Sequence, residues 1–126
     1  MTEPPQFSNW QEAWEWHARQ TSDHFEAQTA EELLAQITAG HYDGYYTIWY
    51  RLREKVSLAQ AAPVLLDVLR READDLIRYH CAAALFYLMG HTDDAPPPLR
   101  PRVQWAHKGE AARQAAIDEL EQSLAE

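Results

Sequence analysis

Residues 61–90 read AAPVLLDVLRREADDLIRYHCAAALFYLMG, and the way this stretch folds decides the fold of the whole chain. Leu65, Leu66 and Leu69 recur at helical spacing, and so do Ile77, Cys81, Ala84, Leu85 and Leu88, which predicts two amphipathic helices. Ahead of the first stand Ser57 and Gln60, a capping-box pair. Pro63 falls near that helix start, where a missing N–H costs least. Asp74 and Asp75 punctuate the turn, and Gly90 ends the second helix. His80 beside Cys81 invites a nucleophile-and-base reading. Neighbours on a helix point about 100° apart, however, so His80 is poorly placed to activate the thiol. Cys81 is expected on a packing seam, a small hydrophobe among Ala82, Ala83 and Ala84.

The same logic extends outward. FSNWQEAWEWHARQTSDHF, residues 7–25, offers Ser8 with Gln11 as a capping box and a narrow stripe of Trp10, Trp14, His17 and Thr21. TAEELLAQITAG, residues 29–40, offers Thr29 with Glu32, an apolar face of Leu33, Leu34 and Ile37, and Gly40 as a stop. In YDGYYTIWYRLREKV, residues 42–56, the aromatic content invites a strand. Alternation with period two fails there, while Tyr45, Ile48, Trp49, Leu52 and Val56 share one helical face, so a helix is expected. HTDDAPPPLRPR, residues 91–102, breaks the pattern with four prolines in positions 96–101. HKGEAARQAAIDELEQSLAE, residues 107–126, forms a last helix with Ala116, Ile117, Leu120 and Leu124 on one side.

Short paired helices call for a repeat search. An offset of 32 places Leu33, Leu34 and Ile37 on Leu65, Leu66 and Leu69. It also places Tyr45, Ile48, Trp49, Leu52 and Val56 on Ile77, His80, Cys81, Ala84 and Leu88, and Asp43 on Asp75. The stretch with Ala62-Pro63 before an apolar helix, Asp74-Asp75 in the turn, Ile77-Arg78 and small residues from Ala82 to Leu85 before Gly90 resembles a HEAT-type repeat of the short bacterial kind. The resemblance covers residues 57–90 well and 29–56 less well, because bulky aromatics replace the small residues there. It does not reach 1–28 or 91–126, which it implies are capping ends. The implied fold is all-α, a short HEAT-like α-solenoid of about six helices in one domain. Its parts are an N-terminal capping helix (1–28), repeat one (29–56), repeat two (57–90), a proline-rich loop (91–105) and a C-terminal helix (106–126). Such repeats mostly imply protein–protein binding. Some relatives are enzymes, among them DNA-base glycosylases and bilin lyases, so fold alone does not assign function.

Composition narrows the function. The chain has 126 residues and a net charge of −9, with 11 basic and 20 acidic side chains. That balance disfavours general nucleic-acid binding and docking on an anionic membrane. The acidity sits at the two ends, and the segment 41–106 is neutral. Cys81 is the only cysteine, which fits a reducing compartment. The first residues lack the basic and apolar regions of a signal peptide, and no apolar run approaches a membrane span. A cytoplasmic location is expected.

Candidate chemistry is sparse. Among six histidines no pair has the spacing of a metal motif: His17 and His24 lie two helical turns apart. The acid pairs Glu31-Glu32, Asp74-Asp75 and Asp93-Asp94 fall at helix starts and turns, where they complement the helix dipole. There is no phosphate loop and no nucleophile elbow. No catalytic residue, metal or cofactor is expected. With Trp49 and Leu52 inward, Tyr46, Tyr50 and Arg53 point outward. The next helix is expected to add Arg78, Ala82 and Phe86, flanked by Tyr79 and Tyr87. Tyr and Arg over an alanine floor suit a partner segment, since such residues dominate binding hot spots. The partner-binding expectation therefore rests on Tyr46, Tyr50, Arg53, Arg78, Phe86 and Tyr87, unless a terminal helix covers them. Self-association through Trp10 and Trp14 is the second expectation. An enzyme or small-ligand binder using His80 or Asp75 ranks behind these. A nucleic-acid reader using Arg100, Arg102, Lys108 and Arg113 ranks last.

Overall fold

The computed structural model describes residues 6, 8–91, 95–100 and 109–125. Every regular element among them is helical: α1 (Trp10–Glu26), α2 (Ala30–Thr38), α3 (Thr47–Lys55), α4 (Leu58–Arg71), α5 (Asp75–Leu88), a 3-10 turn (Pro97–Leu99) and α6 (Gly109–Ala125). Asp93, Asp94, Arg102 and Lys108 lie outside the described residues.

The helix starts follow local chemistry. Thr29 with Glu32 and Ser57 with Gln60 form reciprocal capping boxes at α2 and α4. Asp74 caps α5, its carboxylate accepting from the N–H groups of Leu76 and Ile77. At α1 the box is displaced by one residue: Asn9, not Ser8, is the cap and accepts from the Glu12 N–H at 2.9 Å. Asp43 serves α3, accepting from the backbone N–H of Thr47 at 3.1 Å and of Ile48 at 3.0 Å. The capping acids of α3 and α5 are thus Asp43 and Asp74, whereas the repeat offset pairs Asp43 with Asp75. Pro63 is the sixth residue of α4 and lies on its exposed side, so the hydrogen bond it forfeits is at the solvent face.

The helices pack in two rows. α4 lies between α2 and α6, and α3 lies between α1 and α5. Cross-contacts fix the directions in the second row. Tyr45 of α3's leading turn meets Trp14, Arg51 bonds Ser22, and Lys55 reaches the carbonyl of Gln28, so α1 and α3 run the same way. Tyr46 meets His80 and Arg53 meets Tyr87, so α5 runs that way too. In the first row Arg71 donates to the carbonyls of Ile37 and Thr38, satisfying the last turn of α2. Arg70 pairs with Asp118 at 3.1 Å and with Glu121 on α6.

One buried cluster joins all six helices. Ile48, Trp49 and Leu52 of α3, Leu65 and Leu69 of α4, and Cys81 and Leu85 of α5 all belong to it. Truncating any of these large apolar side chains to Ala costs about 2–5 kcal/mol, because the space is only partly refilled. Ala95 and Leu99 join the same cluster, so residues 95–100 contribute to the core. α1 is the loosest element. Only Phe25 is buried on it, and Trp10 is 76 % exposed. No helix among the described residues is long and apolar enough to cross a membrane.

Candidate functional site

The six expected partner-binding residues separate into two groups. On α5, residues 79, 80, 83, 84 and 87 turn towards α3, while 78, 82 and 86 lie about a quarter-turn or more away, with Arg78 meeting α6 and Phe86 facing α6 and the 3-10 turn. The expectation that Arg78, Ala82 and Phe86 face outward is therefore corrected. Arg78 is 4 % exposed and binds Glu110 of α6, Ala82 is fully buried, and Phe86 is half-buried, its ring tilted against His91 with centroids 4.8 Å apart. The C-terminal helix takes the side of α5 that the sequence pattern left open.

The other four stand together on the row of α3 and α5. Tyr46 is the one described non-glycine residue with a left-handed backbone, φ 62°, and its ring stacks on His80 with centroids 4.3 Å apart. Such a conformation costs a tyrosine about 1–2 kcal/mol. Burial pushes the Tyr46 hydroxyl pKa up, aided by the charges of Asp74 and Asp43. Burial likewise pulls the His80 pKa down, against the opposing charge of Asp43, so His80 is neutral at pH 7. The Arg53 guanidinium carbon lies 4.6 Å from the Tyr50 ring centre and 4.5 Å from that of Tyr87. This cation is held between two rings that are each nearly half exposed.

Between these rings is a cleft of about 40 Å³, lined by Trp49, Tyr50, Arg53, Tyr79, His80, Ala83 and Ala84. Trp49 is 1 % exposed, and its Nε1 is buried without a hydrogen-bond partner among the described residues. Tyr79, His80 and Trp49 are site residues that the outward-face argument missed. The signal for His80 was in the repeat register, which set a polar side chain opposite Ile48.

A larger cleft of about 530 Å³ lies between α5, the 3-10 turn and α6, with walls that include Phe86, Met89, Pro97 and Ala112. Elsewhere the geometry offers little reactive chemistry. Cys81 is fully buried, its thiol donates to the Leu65 carbonyl at 3.3 Å, and burial raises its pKa well above the usual thiol range. Asp75 is paired with Arg113 at 3.0 Å, both nearly buried. That pair also removes Arg113 from the basic stripe a nucleic-acid reader would need. No cluster of three or more His, Cys, Asp or Glu side chains able to hold a metal occurs among the described residues. No protein-family model matches the chain, and no curated protein or solved structure is significantly similar to it.

Proposed function

We propose that the chain is a non-catalytic, cytoplasmic interaction module, a short HEAT-like solenoid that docks a segment of a protein partner on the ridge of Tyr46, Tyr50, Arg53 and Tyr87. The carrying observation is the Arg53 guanidinium held between the half-exposed rings of Tyr50 and Tyr87. Arg and Tyr fixed in place before binding lose little side-chain entropy on docking. The two rows of helices, with α1, α3 and α5 running in one direction, support the solenoid reading. The single buried cysteine supports the cytoplasmic one.

The test is selection from a random dodecapeptide display library on the wild-type protein, with the Tyr50→Ala/Tyr87→Ala double variant as counter-bait. Sequences enriched on the wild type alone support docking at this ridge. Equal recovery on both baits removes the ridge as the site. Self-association is the other use of an exposed aromatic face, and the exposed Trp10 and Trp14 on α1 favour it. Light scattering on the wild type and on Trp14→Ala separates the two uses. A dimer dissociated by Trp14→Ala places self-association on α1 and leaves the ridge for a different partner.

A second reading, binding of an apolar small molecule, is favoured by the 530 Å³ cleft beside Phe86, a volume in the range of ordinary ligand sites. An anilinonaphthalene sulfonate dye should then brighten on binding, and the filling change Ala112→Trp should abolish the signal.

A further inference from the structure

We infer that the cleft between α5, the 3-10 turn and α6 takes a hydrophobic amine, with its ammonium group beside Glu119 and its apolar body among Phe86, Met89 and Leu120. This rests on the small-molecule reading of that cleft given above and deepens it by naming the charge the ligand carries. The walls are apolar. Phe86 and Met89 come from the end of α5, Pro96–Pro98 from around the 3-10 turn, and Leu120 from α6. A ring and a thioether suit an aromatic or alkyl body. The volume of about 530 Å³ encloses a whole small ligand rather than a single side chain.

The charge around these walls has one sign. The lining holds one carboxylate, Glu119, and no lysine or arginine. Glu119 is exposed and has no ion-pair partner among the described residues, whereas Asp118 and Glu121 on the same helix are both committed to Arg70. Two helix ends add to the field. Phe86 lies in the last turn of α5 and Ser123, also a lining residue, in the last turn of α6, and neither turn carries a basic residue. A helix C-terminus bears partial negative charge and favours a nearby cation. An anionic ligand would be repelled by Glu119 and by both ends, and a neutral one would gain nothing from them.

Three compounds with one skeleton test this: 4-phenylbutylamine is a cation, 4-phenylbutan-1-ol is neutral and 4-phenylbutanoate is an anion. Each is titrated at pH 8 and low salt into protein carrying carbon-13 methyl methionine. The chain has two methionines, Met1 and Met89, and Met89→Leu assigns the signal from the cleft. The amine should shift that signal saturably, with an affinity about fivefold above that of the alcohol, and the carboxylate should bind weakest. Glu119→Gln, a change on the exposed side of α6, should bring the amine within about twofold of the alcohol and leave the alcohol where it was. Ala112→Trp should remove the response to all three. Circular dichroism confirms that both variants are folded. An alcohol that binds as tightly as the amine, or an amine preference that survives Glu119→Gln, overturns the amine assignment and leaves the cleft as a ligand site. An amine that leaves the Met89 signal unmoved also overturns it. If the sulfonate dye fails to brighten as well, the small-molecule reading falls with the inference.

Discussion

Arg78 of α5 holds Glu110 of α6 through two parallel hydrogen bonds, Nη1 to Oε2 at 2.9 Å and Nη2 to Oε1 at 2.7 Å. Three residues away on each helix the charges exchange: Arg113 of α6 donates to Asp75 of α5 at 3.0 Å. The pairing order makes the two helices antiparallel, and the exchange of sign fixes their register. Sliding α6 by one turn would set Arg113 against Arg78.

Glu110 carries the first prediction. Arg78 is almost fully buried, so Glu110→Gln leaves a buried cation with a weaker partner. The expected loss is about 2 kcal/mol, read as a lower urea midpoint, and Arg78→Met/Glu110→Gln should recover part of it. Hydrogen bonds from Arg78, then from Gln114, hold the Glu110 pKa at about 2, against 4.5 for the free side chain. The unfolded chain therefore takes up this proton first. The contribution of the pair is complete above about pH 4.5 and is lost as the pH falls towards 2. Glu110→Gln should flatten the stability curve in that window alone. An unchanged slope would mean that the pair does not form in solution.

Tyr46 supplies the second prediction, because its backbone and its ring make opposite demands. With φ at 62° it sits where glycine is at ease, yet its ring is the one stacked on His80. Removing the ring takes away the reason for the strain. Tyr46→Gly should then be more stable than Tyr46→Ala by about 1 kcal/mol, the reverse of their usual order inside a helix. Thermal melts of the two variants decide it. An alanine variant at least as stable as the glycine one would show that the turn relaxes out of the left-handed region.

Much of this architecture was legible because it is local. Thr29 with Glu32 and Ser57 with Gln60 satisfy donors three residues away, so four letters carry the whole signal. The single face of Ile48, Trp49 and Leu52 was enough to reject a strand for α3. Ser8 was displaced by Asn9 because both residue types cap well and the pattern tolerates a shift of one. Arg78 was misplaced for a different reason. Its side of α5 is decided by α6, whose Glu110 lies 32 positions further along the chain, and no periodicity within α5 records that. The candidate site was half legible in the same way. Tyr50, Arg53 and Tyr87 follow from helical phase, whereas the left-handed Tyr46 and the unpaired Trp49 N–H arise only once the helices meet.

His80 gives a prediction in the neutral range. Its ring packs between Tyr46, Tyr50 and Tyr79, and the charge that reaches it is that of Asp43. Burial outweighs that charge and lowers its pKa, so the unfolded state binds the proton more readily than the folded one. Stability should be level above the ordinary histidine pKa and should fall as the pH drops below it. His80→Phe keeps a ring against Tyr46 and removes the titration. Urea midpoints at pH 7.5 and 5.5 should differ less for His80→Phe than for the wild type. Equal differences would assign the acid sensitivity to another group.

Cys81 allows the packing seam itself to be tested. The thiol is fully buried, bonded to the Leu65 carbonyl, and kept protonated by its surroundings. Only the thiolate reacts with a disulfide reagent, so modification must wait for the helices to separate. With a folding stability in the usual range, native modification at pH 8 should be slower than in urea by about a thousandfold or more. Cys81→Leu forces extra methylene groups into a seam of alanines and should cost about 1–3 kcal/mol. Fast modification of a protein that keeps its full helical signal would place Cys81 outside the seam, and Cys81→Leu would then be expected to leave the urea midpoint where it was.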